Sequence, residues 1–115
     1  MRRPVTIALL LVLCGCDTGT SKLPHGYSYV QIDGVNGMIV ADATHEVAVE
    51  PNVKRYALVG DFVVGERDDA ELGLKLSKRF GYFIFDTRDG KYVEGLNEQQ
   101  FEKELGARGL PSHLL

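Results

Sequence analysis

The stretch that most constrains the fold is residues 80–105, FGYFIFDTRDGKYVEGLNEQQFEKEL. Its first seven residues are the most aromatic stretch of the chain and read as a strand. Phe83 and Phe85 fall on one face, and burying them contributes roughly 1.5–3 kcal/mol each. Thr87, Arg88, Asp89 and Gly90 are turn formers, so residues 91–93 return as the partner strand of a hairpin. The pattern then changes. Asn97 is a helix N-cap, and Gln100 is placed to reach back to it as a capping box. Leu96 before the cap can pack on Phe101, and Phe101 shares a face with Leu105. Gly106 or Gly109 ends the helix. The apolar stripe is narrow, so this helix is expected to pack on one side of a sheet.

The preceding residues supply the other strands. In residues 25–33 (HGYSYVQID), Ser28, Val30 and Ile32 alternate with Tyr27, Tyr29 and Gln31. Residues 34–37 (GVNG) favour a tight turn, and 38–41 (MIVA) form the second arm of a hairpin. Residues 42–46 (DATHE) are a polar break, 47–49 a short strand and 50–52 (EPN) a turn. Residues 53–66 (VKRYALVGDFVVGE) are the main β segment. Gly60-Asp61 in its middle fits a bulge in one long strand or a two-residue turn, with the bulge favoured. Residues 67–79 are charged, with alternating leucines and Gly73, and read as a partly ordered loop. The expected fold is α+β: an antiparallel sheet of about five strands, built from hairpins, with one C-terminal helix packed on it.

The first 25 residues have a different character. Met1-Arg2-Arg3-Pro4 precedes about nine mostly apolar residues, too few for a membrane span of roughly 20 and right for a signal-peptide core. They end in Leu13-Cys14-Gly15-Cys16, which resembles the lipobox of bacterial lipoproteins. That resemblance implies cleavage between Gly15 and Cys16. It also implies a diacylglyceryl thioether on the Cys16 sulfur and an acyl group, such as palmitate, on the new amino terminus. Residues 1–15 are then signal peptide, 16–25 lipidated cysteine and tether, and 26–115 a single domain. Two or three chains anchor stably where one does not. Asp17 after the lipidated cysteine resembles an inner-membrane retention signal, so the chain is expected on a bacterial membrane facing the periplasm or cell exterior. The block 82–105 also resembles one found in small uncharacterised bacterial lipoproteins, and brings no activity with it.

Charge and motifs narrow the function. Removing Arg2 and Arg3 leaves 11 Lys+Arg against 16 Asp+Glu, a net charge of −5. Such a domain repels phosphate backbones, so nucleic acid is not an expected partner. With Cys14 removed and Cys16 acylated, no thiol remains for redox or metal chemistry. His45-Glu46-Val47-Ala48-Val49 begins like H-E-x-x-H but has Val where the second ligand belongs. Residues 86–90 (DTRDG) start like a calcium loop, but Arg88 takes a ligand position and Asn97 the place of the closing glutamate. No serine lies in G-x-S-x-G, and no phosphate-binding glycine motif occurs. No cofactor and no metal are expected.

Tyr27 and Tyr29 are the candidate partner surface, because tyrosine joins an apolar face to a polar tip. Packing of both sheet faces would bury them instead. The function expected is a membrane-anchored, non-catalytic envelope lipoprotein that offers a small domain to a protein or peptidoglycan partner. The alternative is a small envelope hydrolase using Asp61, Asp86 or His45.

Overall fold

The computed structural model describes residues 19–32, 37–68 and 80–115. The strands are β1 (Thr20–Leu23), β2 (Tyr27–Gln31), β3 (Gly37–Ala41), β4 (Val47–Val59), β5 (Phe62–Arg67), β6 (Gly81–Asp86) and β7 (Tyr92–Leu96); the helix is α1 (Glu98–Ala107). They form one antiparallel sheet in the order β1-β2-β3-β4-β5-β6-β7. The α+β class with a C-terminal helix is as expected. The strand number is seven among the described residues, not about five.

Three local differences bear on the count: two add a strand and the third joins two into one. Residues 20–23, read as tether, are β1 and pair with β2 from Thr20↔Val30 to Leu23↔Tyr27. Gly60-Asp61 is the turn between β4 and β5, with Val59 opposite Phe62, and not a bulge. Glu50-Pro51-Asn52, read as a turn, lies inside β4, where the β3–β4 register breaks between the pairs Gly37↔Val53 and Ile39↔Val49. Bulges and bends are where a strand tolerates proline. Residues 69–79 of the expected loop, residues 34–36 of the expected turn, and residue 33 lie outside the described residues.

β4 therefore serves two halves. Its first part pairs with β3, its second with β5. Strands that bend in this way let a sheet fold over and pack against itself. The side chains show that it does. β2 and β6 are four strands apart, about 19 Å along a flat sheet. Yet the Tyr27 and Phe85 rings meet edge-on at 4.8 Å, and the Tyr29 and Tyr56 rings lie 4.5 Å apart. The interior so formed holds Leu23, Tyr29, Ile39, Val49, Val53, Val63, Phe83 and Phe85. Two rings lie flat on glycines: Tyr29 over Gly37 and Phe83 over Gly65, where a Cβ would fall 2.3 and 2.6 Å from ring atoms.

The outer face of the second half (the end of β4, β5, β6 and β7) packs on α1. Val64 and Ile84 join Phe101 and Leu105 in a second cluster, with Tyr82 stacked on Phe101 at 4.6 Å. A bulge in β7 sets Leu96 opposite Tyr82 while Val93 stays opposite Ile84, so both leucine and valine serve this cluster. The helix start is as read from the sequence: Asn97 accepts from the Gln100 N–H, and the Gln100 side chain accepts from the Asn97 N–H.

Candidate functional site

Three groups of residues carry the chemistry the sequence offered. The first lies at the bend of β4. Val63, Gly65 and Arg67 alternate onto the interior face of β5, and Tyr92 and Glu94 do the same on β7. Arg67 thus enters the interior, where its side chain has no exposed surface. A buried guanidinium demands oxygen partners. Here Nε donates to the Glu50 carbonyl at 2.9 Å and the Pro51 carbonyl at 3.2 Å. Nη2 donates to Pro51 at 2.7 Å, and Nη1 to Glu94 Oε1 at 3.0 Å. The Phe80 ring lies 5.0 Å from the guanidinium carbon. The Tyr92 hydroxyl donates to the same Glu94 oxygen at 2.9 Å, and burial, with Glu94 beside it, pushes the phenol's pKa well above its ordinary value. The guanidinium is occupied by the chain's own oxygens, and the cluster acts as a tie across the bend.

The second group lies at the open end, away from the bend. His25 precedes β2, Asp61 is in the β4–β5 turn and Arg88 in the β6–β7 turn. His25 Nε2 is 2.9 Å from Asp61 Oδ1, and Arg88 Nε is 3.9 Å from Asp61 Oδ2. Arg88 holds Asp86 with both arms, Nε to Oδ1 at 3.1 Å and Nη2 to Oδ2 at 2.9 Å. These bonds hold the Asp86 carboxyl below the usual carboxylate range. Thr87 donates its hydroxyl to the Asp61 carbonyl at 2.6 Å. His25, Asp61 and Arg88 are each 41–55 % exposed. Of the hydrolase candidates, Asp61 and Asp86 meet here through Arg88. His45 does not join them: it is exposed, with a φ of 62°, in the turn between β3 and β4.

The third group lies on the outer face of the first half (β1, β2, β3 and the start of β4). Ser28 Oγ donates to Asp42 Oδ1 at 2.6 Å, and Lys22 Nζ approaches Asp42 Oδ2 at 3.3 Å. The Ser28 hydroxyl holds the Asp42 carboxyl below its usual range. Serine bonds directly to carboxylate here, without the imidazole that would take a nucleophile's proton.

The tyrosine pair expected as a partner surface is not an exposed pair. Tyr29 is 5 % exposed and Tyr27 half-buried, because the sheet folds over the face they share. The burial of Arg67 was the residue role that sequence reading missed, since 67–79 read as one charged loop. The alternation Val63, Gly65, Arg67 carried the signal. Gly15 and Cys16 lie outside the described residues. Among the described residues, no three His, Cys, Asp or Glu side chains are grouped to hold a metal, and no helix is long and apolar enough to cross a membrane. The chain matches no family model, no curated protein and no solved structure.

Proposed function

We propose that this chain is a lipid-anchored envelope protein whose small α+β domain binds a protein or cell-wall partner without catalysing a reaction. The observation that carries the reading is the position of Leu13-Cys14-Gly15-Cys16, a lipobox-like segment behind an apolar run and only four residues before Thr20, where β1 begins. Cleavage at Gly15 would leave the acylated Cys16 at the head of a domain that folds almost at once. Further support comes from the polar residues offered for chemistry. Asp86 carries both arms of Arg88, Ser28 is spent on Asp42, and Arg67 is enclosed by carbonyls and Glu94. Each is accounted for by what it holds together.

The test is the intact mass of the full-length chain recovered from bacterial membranes, beside Cys16→Ala. The expected product lacks residues 1–15 and carries the mass of a diacylglyceryl and an acyl group, neither appearing in Cys16→Ala. A chain retaining residues 1–15 with both cysteines unmodified would overturn the reading.

A further inference from the structure

The outer faces of the two halves differ. That of the second half is covered by α1, and Val64 and Ile84 beneath it are 0 and 1 % exposed. On the first half, Met38 and Val40 flank the interior residue Ile39 and so point outward. Val30 pairs with Met38, and Val40 with Val47. Ile32 and Val47 are 42 and 49 % exposed, the exposed large hydrophobics among the described residues. Lys22 and Asp42, charged residues of this face, pair at 3.3 Å. The face is largely apolar, and no helix among the described residues covers it.

Where the chain arrives says what meets it. Thr20, the first residue of β1, is the direct register partner of Val30, which pairs in turn with Met38. Met38 is thus two strand spacings, about 10 Å, from Thr20. Cys16 is four residues before Thr20, so the two Cα atoms are at most about 15 Å apart however the link runs. A lipid on Cys16 holds the bilayer surface within reach of this face, which lies across the folded-over sheet from α1.

We propose that the outer face of the first half, Val30, Ile32, Met38, Val40 and Val47, rests on the phospholipid surface to which Cys16 is anchored, with α1 turned away from it. This rests on the lipid-anchor reading above. The contact is apolar, because a domain of net charge −5 gains nothing from anionic headgroups. Two exposed apolar side chains alone bind a bilayer weakly. Tethered beside it, they act at the high effective concentration a short link imposes. The consequence is a fixed orientation, in which α1 and the exposed Glu98, Gln99 and Lys103 face the envelope space as the surface a partner would meet.

The experiment uses the lipidated full chain in phosphatidylcholine vesicles, with an environment-sensitive fluorophore on Ile32→Cys, Val47→Cys or Lys103→Cys. Each site is exposed, so each variant keeps the fold. A quencher carried on the lipid chains should quench the Ile32 and Val47 probes several-fold more than the Lys103 probe, and aqueous iodide the reverse. A chain that floats with the vesicles while iodide quenches all three probes equally keeps the anchor and overturns the orientation. Probes at Ile32 and Val47 shielded from both quenchers would mean a protein surface, such as a second copy, covers the face, and would also overturn it. A chain with no lipid mass that fails to float removes the anchor and this inference together.

Discussion

Arg67 and Arg88 each fasten strands of the same folded-over sheet, one at each end, and they do so under opposite conditions. Arg67 sits at the bend with no exposed side-chain surface; Arg88 sits at the open end, 55 % exposed. Both have carboxylate partners at 2.9–3.0 Å and an aromatic ring 5.0–5.3 Å from the guanidinium carbon. A contact inventory alone would rank them alike. The surroundings separate them. At the bend the guanidinium itself has no access to water, and the Pro51 carbonyl takes two of its bonds. At the open end, water can replace Arg88 on the exposed Asp61, the buried Asp86 keeps the Arg88 backbone N–H at 3.0 Å when the side chain is removed, and salt screens what remains. The Arg67 tie is therefore expected to hold the fold more strongly than the Arg88 tie.

The sharpest way to break this comparison is to remove each arginine. Arg67→Ala removes the guanidinium from the largely buried Glu94 side chain and takes away the bonds it gives to the Glu50 and Pro51 carbonyls. Removing one partner of a buried pair costs about 3–5 kcal/mol. The urea midpoint should fall by most of the stability of a domain this size. Replacing the pair as a unit, Arg67→Met with Glu94→Leu, should recover a large part of the loss, because no charge is then stranded. If the double variant is no more stable than Arg67→Ala, the carbonyls of the β4 bend, and not Glu94, are what Arg67 chiefly serves.

A second substitution probes the same strand without touching charge. Gly65 lies beneath the Phe83 ring, and an added Cβ would meet that ring at 2.6 Å and the Arg55 carbonyl at 2.5 Å. Gly65→Ala should destabilise by about 1–3 kcal/mol, the usual range for overpacking a core. Chemical denaturation measures it. A neutral result would mean the folded-over interior has slack beside Arg67, and would weaken the claim that the bend is the tightly held end.

What could be read from the sequence divides along the same line. The β6–β7 hairpin and α1 were legible because their signals are local: an aromatic run, a DTRDG turn and a capping box within four residues. At β4 the sequence reading put the turn and the irregularity in each other's places. Residues 50–52 read as a turn and Gly60-Asp61 as a bulge or a two-residue turn, with the bulge favoured; in the structure Gly60-Asp61 is the turn and Pro51 sits at the register break. Each pair of residues is compatible with both roles, and the choice is made by what packs across the interior. β1 was missed because Thr20 to Leu23 is mostly polar, as befits an edge strand with one buried residue, Leu23. Tyr27 and Tyr29 were correctly grouped on one face. That the face closes over them depends on the bend, which no local pattern announced.

Tyr92 extends the comparison to high pH. Its phenol is buried beside Glu94, which pushes its pKa above the ordinary value near 10. A group whose folded pKa is raised favours the fold fully below its unfolded pKa. That contribution is lost as pH rises from about 10 through the folded value. The domain should lose stability progressively above pH 10, and Tyr92→Phe should flatten that limb while leaving the far less buried open end alone. A pH titration of the urea midpoint separates the two variants; identical alkaline limbs would mean Tyr92 reaches water in the folded protein.

The smallest effect is expected at the open end, in acid. Arg88 holds the Asp86 carboxyl below its ordinary range, so this pair favours the fold above the unfolded carboxylate value near 4. The contribution is lost as pH falls through the lowered folded value. Arg88→Ala should therefore leave the midpoint at pH 7 nearly unchanged and shift acid unfolding slightly upward in pH. Because Arg88 is more than half exposed, 1 M salt should erase even that shift. If instead Arg88→Ala matches Arg67→Ala at neutral pH, then His25, Asp61 and Arg88 are what keep the first half closed over the second. The two ends of the sheet would then be fastened with equal strength in spite of their difference in burial.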